Sequence, residues 1–243
     1  MIALITGKPN TGKSTAVRKI IDQLGSLRCC GLLAEEILKD GERVGFETAG
    51  ISCGEKIVLA HKELDKTWAV EDFGIDLTSL ERLAAKEFET GLKDEKTRFI
   101  IIDEIGRMQV MSERFRQLLD QVAESSKSLI ATICYEDEIE YIRDFKNRED
   151  VRLFVLNKED RDELPLSVCG YVRNDDEEYL SKIALARKYA QEKQRYEYLP
   201  DKVILHSTHG IRTITKENGH YHCTCDYYQK NGTCSHIMSL FIS

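Results

Sequence analysis

Three groups of residues carry the chemistry of this chain. Gly7-Lys8-Pro9-Asn10-Thr11-Gly12-Lys13-Ser14 has the spacing G-x-x-x-x-G-K-[ST], in which glycines let the backbone curl so that successive N–H groups point inward at a chain of phosphates. The helix that follows adds the positive end of its dipole. In such a loop, extended through Thr15, Lys13 reaches the β and γ phosphates and the Ser14 hydroxyl ligates Mg²⁺. Phe99-Ile100-Ile101-Ile102-Asp103-Glu104 supplies matching carboxylates. Its apolar run buries as a strand expected beside the one feeding the loop, with Asp103 emerging at the C-terminal edge to hold Mg²⁺ and Glu104 placed to polarise an attacking water. Arg107 and Arg161 are candidates for stabilising charge on a transferred phosphoryl group, and each also reads as an ordinary surface ion-pair residue.

The third group is Cys223-Thr224-Cys225 followed by Cys234-Ser235-His236. Three thiolates and an imidazole make a closed tetrahedral set that suits structural Zn²⁺, whereas a catalytic ion needs an open position. A disulfide is a poor alternative, because a C-x-C loop is strained and a reducing compartment keeps thiols free. With four ligands already present, His206, His209, His220 and His222 read as solvated or packed imidazoles. The other five cysteines (Cys29, Cys30, Cys53, Cys134, Cys169) read as small hydrophobes.

The 243 residues are enough to bury a core without disulfides, and the net charge of -7 argues against a general electrostatic grip on nucleic acid or anionic membrane. Nothing approaches a run of 18 apolar residues, so no membrane-crossing helix is expected. Met1-Ile2-Ala3-Leu4-Ile5-Thr6 runs straight into the glycine loop and leaves no room for a cleavable leader, which reads as cytoplasmic.

Elements that must position these groups follow an α/β pattern: a mainly parallel sheet with helices on both faces and an antiparallel hairpin insertion, plus a small C-terminal zinc module. Ile2 to Thr6 is the first strand, and Val17, Ile20, Ile21 and Leu24 form a helical stripe that stops at Gly25. Strands over 32–38, 44–51 and 56–61 make the insertion, turned at Asp40-Gly41. Thr78 to Glu81 has capping-box spacing ahead of a helix closed by Gly91, and Ser112 precedes another helix. Strands over 129–133 and 151–156 flank a helix over about 137–146, giving at least four α/β-type strands. A polar helix over about 175–195 carries Leu180, Ile183, Ala184, Arg187 and Ala190, and Tyr196 to Pro200 breaks it. The tail then reads as strands 203–205, 211–215 and 221–223, an Asn218-Gly219 turn, and a short helix after Cys234. The domains so defined are 1–168, a helical connector 169–200, and 201–243.

Two resemblances follow from these motifs. Asp103-Glu104-Ile105-Gly106-Arg107-Met108 resembles the Asp-Glu-Ile-Gly-Lys-Met signature of the nucleoside-triphosphatase family first described from hyperthermophiles, which includes the cancer-related nucleoside-triphosphatase. The N-terminal phosphate loop, the hairpin from Ala34 to Phe46 and Arg161-Asp162-Glu163-Leu164 agree with it, over residues 1 to about 168. It implies Mg²⁺-dependent hydrolysis of several nucleoside triphosphates, ATP and GTP among them, to diphosphate and phosphate. The chain departs from the family at Asn10, where the family has glycine, and at Asp160, where it has asparagine; Ser14 replaces threonine but keeps the hydroxyl. The tail from Thr213 to Met238 resembles the SWIM zinc finger, C-x-C-x(n)-C-x-H, which implies binding to nucleic acid or protein. Between 201 and 243, four basic residues (Lys202, Arg212, Lys216, Lys230) oppose three acidic ones (Asp201, Glu217, Asp226), a footprint too weak to specify DNA. Besides hydrolysis, the loop and carboxylates are compatible with a nucleotide or small-molecule kinase using the hairpin as acceptor site, or with a nucleotide-switched binding factor. The absence of an arginine-rich lid favours hydrolysis.

Overall fold

The computed structural model describes residues 1–25, 28–135, 139–159, 161–217 and 220–242. In chain order the elements are β1 (Ile2–Thr6), α1 (Lys13–Leu24), β2 (Cys29–Lys39), β3 (Glu42–Gly50), β4 (Lys56–His61), β5 (Ala69–Val70), β6 (Phe73–Ile75), α2 (Leu77–Lys93), β7 (Phe99–Ile105), α3 (Arg107–Val110), α4 (Glu113–Ala123), β8 (Ser128–Ile133), α5 (Glu140–Lys146) and β9 (Val151–Val155). There follow α6 (Leu164–Val172), α7 (Glu177–Gln191), β10 (Tyr196–Tyr198), β11 (Lys202–Ser207), β12 (Gly210–Glu217), β13 (His220–Cys223), α8 (Asp226–Asn231) and α9 (Ser235–Met238). Two compact units result: residues 1–14 with 28–156, and residues 15–27 with 157–243.

The first unit is built on one nine-stranded sheet of order β5-β6-β4-β3-β2-β7-β8-β1-β9. Five strands pair in parallel, β2-β7-β8-β1-β9, and the interior three, β7, β8 and β1, are the most apolar and almost wholly buried. That is the expected pattern for strands covered on both faces, whereas β9 at the edge is largely exposed. The insertion extends the sheet antiparallel from β2 through β3 and β4 to the short β6 and β5. Phe88 of α2, Phe115 and Leu119 of α4, and Ile142 of α5 share one core with Leu4, Ile100, Ile102 and Leu129 of the sheet. Ser112 caps α4 as expected, accepting from Phe115 N–H at 2.9 Å.

Two helix boundaries differ from the sequence expectation. The cap of α2 is Asp76, whose carboxylate accepts from Ser79 N–H at 2.9 Å, so the helix starts ahead of Thr78. Gly91 lies inside α2 rather than ending it, because a Cβ there would sit 2.0 Å from Cys30 Sγ; the glycine serves close packing against β2. A further unexpected feature is the fully buried Glu87 of α2. It accepts from Gly31 N–H at 2.8 Å, Cys53 N–H at 2.9 Å and Ser52 O–H at 3.0 Å, which pins the β3–β4 turn.

The second unit combines the body of α1 with α6, α7 and a four-stranded antiparallel sheet, β10-β11-β12-β13. On α7 the buried stripe is Tyr179, Ile183, Ala186, Tyr189 and Ala190, while Leu180, Ala184 and Arg187 face outward. The displacement has a polar cause: both tyrosine rings bury because their hydroxyls find partners, Tyr179 on Gln23 C=O at 3.1 Å and Tyr189 on Thr208 Oγ1 at 2.9 Å. A stripe counted from aliphatic residues misses them. Tyr196 to Tyr198 does end the helical stretch, but as β10, paired antiparallel with β11. α6 and α8 were not legible as helices. The Asn218-Gly219 turn, Asp160 and the start of the helix expected from 137 lie outside the described residues. Among those described, no helix is long and apolar enough to cross a membrane.

Candidate active site and Cys/His cluster

The phosphate-type loop leaves β1 at Thr6 and enters α1 at Lys13. Gly7 is buried, Lys8 to Asn10 are exposed, Thr11 to Ser14 are half-buried and Thr15 is exposed. The crest is a turn closed on Lys8 C=O, which accepts from the Thr11 hydroxyl at 2.8 Å and from Thr11 N–H at 3.3 Å. Gly12 has φ +97 and Asn10 φ 63, both left-handed. Asparagine is among the few side chains that take this conformation readily, which explains how the chain keeps the curl without glycine at position 10. Lys13 folds back over the curl and donates to Gly7 C=O at 3.1 Å. No acidic residue in the first turn of α1 opposes the dipole.

Asp103 and Glu104 come from β7, where the register with β8 is interrupted between Ile102 and Ile105. The strand therefore continues past the carboxylates instead of ending at them. β7 is not adjacent to β1 as expected: β8 stands between them. That intervening strand supplies a residue that sequence reasoning missed, Thr132, whose hydroxyl donates to Asp103 Oδ1 at 2.6 Å. Asp103 is buried, and its other oxygen, Oδ2, has no hydrogen-bond partner among the described residues. Burial pushes the Glu104 carboxyl above the usual carboxylate range; the Lys13 ammonium pulls it back in part, and the Asp103 carboxylate pushes it further. Loop, lysine and both carboxylates thus act on one another within the first unit. Arg107 is exposed at the start of α3, and Arg161 lies in the exposed turn ahead of α6, in the second unit.

Within the second unit, Cys223 ends β13, Cys225 caps α8 by accepting from Tyr228 N–H at 3.4 Å, and Cys234 and His236 open α9. All four side chains are buried, and their ligand atoms lie within 4.8 Å of one another. His236 Nδ1 is 3.7 Å from Cys223 Sγ, and Nε2 is buried with no partner among the described residues. A zinc tetrahedron with Zn–S of about 2.3 Å and Zn–N of about 2.0 Å has edges of about 3.5–3.8 Å, so the donor set fits the ion. Hydrogen bonds from Cys223 and Cys234 hold the Cys225 thiol far below its usual range, whereas burial drives Cys234 well above. Removing the remaining thiol protons from this buried cluster requires a cation. Tyr189 of α7 stacks on His236 with ring centroids 5.7 Å apart. Of the spare histidines, His220 bonds Asp22 through Nδ1 at 3.1 Å and His222 bonds the Tyr228 hydroxyl at 3.0 Å.

A strand–loop–helix with an inward lysine, over a parallel sheet whose second strand away bears two carboxylates, defines a class: the P-loop NTPases. A family model described as NTPase matches residues 2–169. The chain belongs to that family. It is 34% identical over 178 residues to nucleoside-triphosphatase THEP1 of Thermotoga sp. (strain RQ2), covering 72% of this chain and 99% of the relative. Identity to the protein of the same name from Methanothermobacter thermautotrophicus is 33% over 170 residues, 69% and 94% of the two chains. Among solved structures it is similar to the crystal structure of THEP1 from Aquifex aeolicus (TM-score 0.64, 30% identity, 71% of this chain and 99% of that one). It is also similar to the solution structure of a human cancer-related nucleoside triphosphatase (TM-score 0.62, 28% identity, 71% and 97%).

Proposed function

We propose that the protein hydrolyses nucleoside triphosphates, ATP and GTP among them, to diphosphate and phosphate, and that residues 201–243 form a SWIM-type zinc module that docks nucleic acid or protein. The observation that carries the first part is the convergence of Lys13, Asp103 and Glu104 on the phosphate loop, with Glu104 raised by burial. Backbone N–H groups of the loop over 7–15, Pro9 excepted because it has none, cradle the phosphates, and Lys13 exchanges the Gly7 carbonyl for β and γ phosphate oxygens. Ser14 and the unpartnered Oδ2 of Asp103 are the donors that fit Mg²⁺, which when bound neutralises charge on the β and γ oxygens. Glu104 accepts the proton of the attacking water; its raised proton affinity makes it a stronger base than an exposed carboxylate. Arg107 and Arg161 remain candidates for stabilising transition-state charge.

The Cys223, Cys225, Cys234 and His236 set holds structural Zn²⁺, supported by burial and spacing of its donors. Residues 1–168 are the catalytic domain, a boundary supported by the extent of the family match, and 169–200 connect it to the module. A reducing, cytoplasmic setting, which keeps thiols available to a metal, is supported by the Cys223, Cys225 and Cys234 cluster. Phosphate release tests the whole reading. Mg²⁺ with ATP or GTP, and no acceptor, should give diphosphate and inorganic phosphate; turnover only with an added nucleoside or monophosphate, with label recovered on it, transfers the case to a kinase. Stimulation by nucleic acid in wild type, lost in Cys234→Ser, identifies the tail's partner; no stimulation points to protein.

A further inference from the structure

Thr132 carries a feature that its surroundings do not otherwise explain. β8 lies inside the parallel block, between β7 and β1, and residues 129–133 are all buried. Thr132 itself is fully buried at 0% exposure. A hydroxyl in such a strand is costly unless bonded, and a valine of the same shape would avoid the cost. The one proton that Thr132 has goes to Asp103 Oδ1, at 2.6 Å, a distance typical of hydroxyl-to-carboxylate bonds. The carboxylate is left with one oxygen satisfied and the other, equally buried, open.

From this pairing we infer that Thr132 is a positioning residue: its hydroxyl fixes the plane of the Asp103 carboxylate so that Oδ2 is presented to the divalent cation that accompanies the nucleotide. The inference rests on the triphosphatase reading of the site. Threonine is suited to the task because branching at Cβ restricts χ1, so the donor is held by the strand itself rather than by a flexible stem. Without the donor, a buried carboxylate is free to turn, and its ion-binding oxygen is no longer preorganised. Residues that orient metal ligands in this way change metal affinity by roughly 10–100-fold when removed.

The test uses the full chain and follows binding of a fluorescent nonhydrolysable ATP analogue as Mg²⁺ is titrated. Thr132→Val should shift the Mg²⁺ midpoint upward by about tenfold, leave the analogue's affinity without Mg²⁺ unchanged, and be reversed by Thr132→Ser, which keeps the hydroxyl. In the Asp103→Asn background, Thr132→Val should add nothing further, since it acts through the lost carboxylate. A wild-type Mg²⁺ midpoint in Thr132→Val overturns the inference. So does equal loss of analogue binding with and without Mg²⁺, which marks a packing role, or full additivity with Asp103→Asn. If Thr132→Val does not fold, Thr132→Ala removes the same donor without adding bulk and decides the matter by the same criteria. Failure of the wild type to bind the analogue at all refutes the reading of the site, a result distinct from wild-type binding with an indifferent Thr132.

Discussion

The phosphate loop and the Cys/His cluster solve the problem of assembling a polar site in opposite ways. The cluster draws its four donors from residues 223–236, and the strand end, two helix starts and intervening turn that carry them are all local. The loop site needs residues 7–14 and 103–104, with Thr132 beside them, and these meet only because β7, β8 and β1 lie in register. One site organises its fold, since Cys223, Cys225 and Cys234 make up most of the buried residues of their small core. The other is carried by a sheet whose core draws on side chains of other elements, Phe88 of α2 and Phe115 and Leu119 of α4 among them. Loss of a group should therefore damage chemistry in the first unit and structure in the second.

The largest expected effect tests the chemical half of that contrast. Lys13→Ala should weaken nucleotide binding and hydrolysis together, because the ammonium faces the phosphates in ground and transition states alike. Glu104→Gln should leave nucleotide bound while hydrolysis falls by about 10²–10⁴-fold, the usual scale for a general base. Neither should reduce the melting temperature much. Equal turnover in wild type and Glu104→Gln, measured by phosphate release, would remove Glu104 from its role.

Next in size is the structural half. Cys225→Ser or Cys234→Ser should lower zinc content from one ion per chain to near zero and loosen residues 201–243 while leaving triphosphate hydrolysis largely intact, since bound metal supplies folding free energy in modules of this size. Elemental analysis and circular dichroism check it. Zinc near zero in wild-type protein purified without chelator would break the contrast at its root.

The same contrast explains what was readable in advance. Gly7 to Ser14 and Cys223 to His236 are motifs in which spacing along the chain is spacing in space, so both were legible, as was the class of fold that places β1 and β7. Thr132 was not, because its partner is 29 residues away and only strand order reveals it. The place of β8 between β7 and β1 is a tertiary outcome that no local pattern encodes. Asp76 displaced Thr78 as a cap because either residue offers a suitable oxygen, and Gly91 read as a stop because its packing partner, Cys30, lies on another strand. On α7, the aromatic hydroxyls of Tyr179 and Tyr189 rotated the stripe away from the aliphatic one.

A smaller effect separates catalytic from structural value within one residue. Glu104 has a folded-state pKa above its ordinary 4.5, caused first by burial. Below 4.5 the carboxyl is protonated folded or unfolded and costs nothing. As pH rises through the folded-state value, the unfolded chain is already ionised while the folded one must be ionised in a buried site, so stability is lost. Glu104→Gln should accordingly raise the melting temperature at neutral pH, by about 2–4 °C for each kcal/mol recovered, and the gain should vanish toward pH 4.5. A gain that persists or grows at low pH would show that the effect is not ionic.

The smallest effect concerns α1, which begins in the loop at Lys13 but whose body belongs to the second unit. Asp22 near its far end is drawn above the ordinary carboxylate range by burial, and the His220 bond at 3.1 Å, together with Lys216 and His222, works against that rise. The imidazole side of the pair is 51% exposed, so solvent screens it. Asp22→Asn and His220→Ala should each change stability by less than about 1 kcal/mol, and the double variant should match the larger single one, as expected for a pair with one partner half-exposed. Nucleotide affinity measured in the same variants then sharpens the comparison. An affinity unchanged within about twofold, well under 1 kcal/mol, leaves the loop and the module as separate solutions. A larger change in Asp22→Asn, reproduced in His220→Ala and absent from a control such as Lys188→Ala on the exposed face of α7, would mean that the helix carries the state of the module to the phosphates.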